Sequence, residues 1–148
     1  MHYNKMKVNF YDSVDDGLLR FAVIISQASG KWVFCKHRER QTLEVPGGHR
    51  ESGEPILETA KRELQEETVA VDFTLSPICV YSVVEDDGSE TYGMLYVAEI
   101  FAFAQALQHE ISQIFFLDKL PDNWTYPLIQ PRLITEAVRR NAICLDGL

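Results

Sequence analysis

Glu63, Glu66 and Glu67 sit at i, i+3 and i+4 within Arg62-Glu63-Leu64-Gln65-Glu66-Glu67, so a helix through this run carries all three carboxylates on one face. Like charges at that spacing repel by about 0.2–0.5 kcal/mol per pair. They also lie toward the C-terminal end of such a helix, where the macrodipole disfavours anions. A face this unfavourable calls for a counter-charge, and a divalent cation with oxygen ligands supplies it. Arg62 reads in two ways: its guanidinium can pair with nearby carboxylates and fix their rotamers, or it can be a solvated i,i+4 partner of Glu58 or Glu66.

The elements that must hold this face follow from periodicity. Leu57, Ala60 and Leu64 recur at helical spacing away from the carboxylates, and Pro55 suits a first turn, which predicts a helix from about 55 to 68. In front of it, Pro46-Gly47-Gly48 ends a short strand through Leu43-Glu44-Val45 and opens a loop that runs to Gly53. Leu18 to Ile25 and Lys31 to Cys35, joined by the turn-like Gln27-Ala28-Ser29-Gly30, read as a β-hairpin. Val71 to Val84 and Thr91 to Phe103 read as two longer strands around Glu85-Asp86-Asp87-Gly88-Ser89, a hairpin turn by composition. Ile111 to Leu117 reads as another strand and Pro131 to Ala142 as a C-terminal helix, while residues up to Gly17 read equally as strand or arm. Strands separated by two distant helices predict an α/β fold, a mixed sheet with helices packed on its faces.

The chain has 148 residues, 46% hydrophobic and 24% charged, which predicts one globular domain, 1–148, with its core at about 18–142. The net charge of -8, from 22 acids and 14 bases, opposes binding to long nucleic acid, whose affinity rests on Lys and Arg. A small anion held through metal remains compatible. Cys35, Cys79 and Cys144 are odd in number and far apart, so neither a disulfide framework nor a zinc site is expected. His2, His37, His49 and His109 have no spacing that builds a transition-metal site and read as loop or surface residues. The N-terminus lacks an apolar signal region and no run approaches a membrane span, so a cytoplasmic protein without membrane contact is expected.

From Gly48 the chain reads GHRESGEPILETAKRELQEETVA. This resembles the Nudix box, G-x5-E-x7-R-E-U-x-E-E-x-G-U with U a bulky aliphatic residue, in register at Gly48, Glu54, Arg62, Glu63, Leu64, Glu66 and Glu67. Two positions depart. Val69 replaces the final Gly and Ala70 the larger aliphatic residue. A glycine there would serve a left-handed C-cap that costs a β-branched residue strain, so Val69 predicts a helix that ends differently or runs on.

The resemblance implies an α/β/α sandwich and a hydrolase that cleaves a nucleoside diphosphate linked to another moiety, using Mg2+ or Mn2+. It implies Glu63, Glu66, Glu67 and the Gly47 carbonyl as metal ligands. Glu110, which opens the segment to Pro121, is implied as a further ligand or the general base. In similar enzymes a basic residue before the box meets the phosphates. Of Lys36, His37, Arg38 and Arg40, strand alternation favours Lys36 and Arg38 on one face. Tyr126 is the expected base-stacking residue, with Trp124 and Tyr92 as further aromatics. Thr125 stands where enzymes for oxidised guanine nucleotides keep a base-reading Asn, and it offers only a hydroxyl. The expected substrate is a small-molecule nucleotide, above all a nucleoside triphosphate, damaged ones included, and a homodimer is compatible. The rival reading, a non-catalytic Nudix-fold module that senses nucleotides, predicts lost carboxylates, and all three are present.

Overall fold

The second strand shows how the sequence builds two cores from one sheet. In β2 (Leu19–Ala28) Ala22, Ile24 and Ala28 join one apolar cluster, while Phe21, Val23 and Ile25 join the other, as side chains alternating across a pleated strand must. The first cluster receives Ala60 and Leu64 from α1 (Ile56–Thr68), and the second receives Leu133, Ile134 and Ala137 from α2 (Gln130–Arg139). The computed structural model describes residues 6–105 and 111–143. Its remaining strands are β1 (Lys7–Tyr11), β3 (Lys31–His37), β4 (Gly47–His49), β5 (Ala70–Val84), β6 (Glu90–Phe103) and β7 (Ile111–Leu117).

They form one mixed sheet in the order β1-β5-β6-β2-β3-β7, with β4 paired to β2. The β2–β6 pair is parallel and the other pairs are antiparallel. With a helix on each face, this is the α/β/α sandwich with a mixed sheet. The undecided N-terminal segment contributes β1, which pairs with β5 from Lys7↔Val84 to Tyr11↔Val80.

Two local expectations are corrected. The short strand is not Leu43 to Val45: Leu43 and Glu44 make only isolated bridges, to Trp124 and Cys35, and the strand is Gly47–His49. Glycine makes this possible, because a Cβ on Gly47 would lie 2.7 Å from the Ala22 carbonyl oxygen on β2. The second correction concerns the end of α1, which neither runs on nor changes form. Val69 takes the left-handed conformation itself, at φ 55° and ψ 27°. Hydrogen bonds hold it there, from Val69 N–H to the Gln65 carbonyl at 2.9 Å and from Ala104 N–H to the Val69 carbonyl at 2.8 Å. The cap swings the chain directly into β5.

Candidate active site

The loop from Pro46 to Pro55 is tied to α1 through Arg62. Its Nε and Nη2 donate to the two oxygens of Glu54 at 2.8 and 3.1 Å, and Nη2 also reaches the His49 carbonyl at 2.9 Å. Glu54 in turn accepts from Thr59 Oγ1 at 2.7 Å and from the Glu51 N–H at 3.1 Å. These bonds, the Arg62 bond first, hold the Glu54 carboxyl down at about 2. Of the two readings of Arg62, the structure favours the one that fixes carboxylates, with Glu54 rather than Glu58 as chief partner. A planar guanidinium meets a carboxylate with two parallel bonds, which sets angle as well as distance.

The other carboxylates on α1 are poorly compensated. Glu63 and Glu66 share Arg62 Nη1, each at 3.5 Å, beyond good hydrogen-bond length. Burial pushes the Glu63 carboxyl up to about 7, against the pull of Arg62. Glu67, only 7% exposed, is pushed by burial up to about 8, although the Gly47 N–H donates to its Oε1 at 2.7 Å. Gly48 completes this contact between loop and helix, since any Cβ there would overlap the Glu63 carboxylate.

Around Glu67 the structure gathers residues that sequence reasoning passed over. His37 Nε2 lies 3.2 Å from Glu67 Oε2 and 3.2 Å from Glu44 Oε2. Glu44 is itself buried, and its other oxygen accepts from Arg40 Nη1 at 3.1 Å. Among the described residues, His37, Glu44 and Glu67 are the set whose ligand atoms all lie within 4.8 Å of one another. His37 is therefore a partly buried strand residue, not the loop or surface histidine expected. Lys36 and Arg38, favoured for the phosphates, flank it, and neither lines the cavity beside the cluster. Trp32 and Phe34 pack on the α2 side and Val33 on the α1 side, and a register shift between Lys36 and His37 breaks this alternation just where His37 meets Glu67.

Beside this cluster lies a cavity of about 210 Å³ on the α2 side of the sheet. Its walls are largely apolar, with Phe21, Val23, Tyr81, Val83, Ile129 and Leu133. Glu44 and Gly47 to His49 line it too, so cavity and carboxylate face share one wall. Tyr126 stands at the cavity, 39% exposed, where its hydroxyl accepts from Arg40 Nη1 at 3.4 Å. Trp124 instead packs edge-on against Phe34, with centroids 5.3 Å apart, and Tyr92 against Tyr11 at 5.7 Å. Both are committed to packing. Glu110, His109 and Cys144 lie outside the described residues.

The sequence profile described as NUDIX domain matches residues 18–127, most of the chain. The chain belongs to the Nudix family. Its enzyme class is that of the family's hydrolases, pyrophosphohydrolases acting on phosphorus-containing acid anhydrides. Solved Nudix structures share the fold. A pyrophosphohydrolase of Bacillus subtilis, BsRppH, superposes with a TM-score of 0.76 at 24% identity, over 94% of this chain and 90% of that one. A NUDIX hydrolase from Nitrosomonas europaea gives 0.68 at 20% identity, over 88% and 95%. The NUDIX domain of Shewanella oneidensis NrtR, solved with ADP ribose, gives 0.56 at 17%, over 83% and 88%. Among curated protein sequences none matches the chain. No helix among the described residues is long and apolar enough to cross a membrane.

Proposed function

We propose that this Nudix chain hydrolyses a pyrophosphate bond of nucleoside triphosphates, damaged ones included, with Mg2+ or Mn2+ as cofactor. The observation that carries this reading is the shared wall. Gly47 to His49 border the apolar cavity on one side and are tied to Glu67 and Arg62 on the other. A base seated in the cavity would have its phosphates led along that wall to the carboxylates.

The donor set fits a hard divalent cation. Oxygens dominate it, and the partly buried Glu63 and the buried Glu67 are raised to about 7 and 8, chiefly by burial and further by the neighbouring carboxylates. We assign the ligand role to Glu63, Glu66, Glu67 and the Gly47 carbonyl. Bound there, the cation neutralises phosphoryl oxygens and lowers the pKa of the attacking water. Arg62 keeps loop and helix in register through Glu54 and the His49 carbonyl, and the Gly47 N–H fixes which oxygen of Glu67 faces the site. Glu110 is proposed as base or further ligand.

The test is phosphate and pyrophosphate release from a panel of nucleoside triphosphates, nucleotide sugars and dinucleoside polyphosphates, with and without Mg2+ or Mn2+. Metal-dependent turnover of triphosphates that disappears in Glu66→Gln and Glu67→Gln supports the reading. Turnover confined to nucleotide sugars or dinucleoside polyphosphates would overturn it.

A further inference from the structure

Gln130 is the first residue of α2, only 5% exposed, and it lines the apolar cavity. Its Oε1 accepts a hydrogen bond from the Val45 N–H at 2.9 Å. A backbone N–H can only donate, so this contact fixes which way the amide is turned. The oxygen is committed to the wall, and the Nε2 group, with its two hydrogens, is what the side chain offers elsewhere. No buried polar side-chain atom of the described residues lacks a partner. Gln130 lines the cavity, and its Nε2, for which Val45 provides nothing, is the group the side chain can turn toward that space.

We infer that Gln130 is a specificity-determining residue that selects bases presenting a keto oxygen over bases presenting an exocyclic amine. The inference rests on the nucleotide reading above and goes beyond it in naming the edge chemistry. A keto oxygen accepts from Nε2–H. An exocyclic amine at the same place sets donor against donor and leaves both unsatisfied in an apolar enclosure, where the discrimination from such a mismatch reaches roughly tenfold or more. The apolar walls stack or pack any base without preference, so selection falls to the polar lining, where Glu44 is engaged by Arg40 and His37, the Tyr126 hydroxyl by Arg40, and the Gln130 amide is left to read the base. Neither the box nor the carboxylate face takes part in this choice. Gln130 is therefore expected to act on KM and on the ratio between substrates more than on kcat.

The experiment pairs substrates that differ at the exocyclic group: GTP and ITP against ATP, and UTP against CTP. The wild-type protein is expected to prefer the keto member of each pair by roughly tenfold or more in kcat/KM, with ITP close to GTP because only the keto oxygen is read. Gln130→Glu retains an acceptor for Val45 and presents a second acceptor to the cavity, so it should reverse the preference toward ATP and CTP. Gln130→Leu, which offers the base neither donor nor acceptor, should flatten it by raising KM for the keto member of each pair. Calorimetric binding of IMP and AMP reads the same preference without turnover. A wild-type protein indifferent to the exocyclic group, or a preference that Gln130→Glu leaves in place, would overturn the inference. Should no triphosphate be hydrolysed, the reading of the substrate fails, and IMP against AMP binding still decides the role of Gln130.

Discussion

Glu67 and Glu136 are the same residue at almost the same burial, 7% and 8% exposed, on the two helices of one sandwich. Their carboxyls are displaced in opposite directions. Glu136 accepts from Arg139 Nε and Nη2 at 2.9 and 2.6 Å and from Arg140 Nε at 2.8 Å, and Arg139 above all holds it down at about 2. Glu67 has one backbone donor and His37, and although its exposed area matches that of Glu136 its carboxyl lies deeper: burial first, with Glu63 and Glu44 facing it, pushes it up to about 8. A carboxylate that serves the fold is surrounded by guanidinium donors. We read Glu67 as a carboxylate that serves chemistry: buried and short of positive charge, with the missing charge the ligand's to supply.

The largest effect that sharpens this contrast is on catalysis. Glu67→Gln should lower turnover by more than about a hundredfold, past the 10–100-fold that outer partners of a metal site cost. The metal-free variant should be at least as stable as wild type, since Gln keeps an acceptor for Gly47 and removes a poorly compensated charge. Steady-state rates beside urea melts would show this, and a destabilised Glu67→Gln would break the comparison. Next comes Arg62→Lys, which cannot span both oxygens of Glu54 and the His49 carbonyl. Turnover is expected to fall about 10–100-fold, and a wild-type rate would show that the fork has no positioning role.

Glu136→Gln should act on the fold alone. Loss of its charged bonds to the two arginines is expected to cost about 1.5–3 kcal/mol, read as a lower urea midpoint with kcat unchanged. The pH dependence separates the two carboxylates further. Glu136 is depressed below its ordinary 4.5, so its stabilisation is present above pH 4.5 and is lost as the pH falls toward 2. Glu67 and Glu63 are raised, so theirs is present below pH 4.5 and is lost as the pH rises through about 7 to 8 in metal-free protein. Melts from pH 3 to 9 should show losses at both ends, and only the alkaline one should disappear with Mg2+. The smallest effect is at Val69. Val69→Gly should add about 0.5–1 kcal/mol, left-handed strain removed less the extra freedom of the unfolded chain, with turnover unaltered.

What the sequence made legible followed from regular spacing. The carboxylate face, the apolar stripe of α1 and the two long strands each repeat with the period of their element, and the family box fixed their register. His37 was not legible because Trp32 to Cys35 is buried on both sides of the sheet. Such a run has no polar residue to mark its outer face, and the β3–β7 register shifts between Lys36 and His37. Val69 misled because a residue's intrinsic reluctance was weighed without the Ala104 bond that holds it. Gln130 carried no signal, since its partner Val45 is 85 residues away.

We hold the under-compensated carboxylates of α1 to be a cation site. This is tested most directly by the thermal midpoint at pH 8, with and without Mn2+, in wild type and in Glu67→Gln. Mn2+ should raise the wild-type midpoint and leave that of Glu67→Gln nearly still, because only the wild-type native state gains a ligand. A wild-type midpoint indifferent to Mn2+, or an equal rise in both proteins, would contradict it.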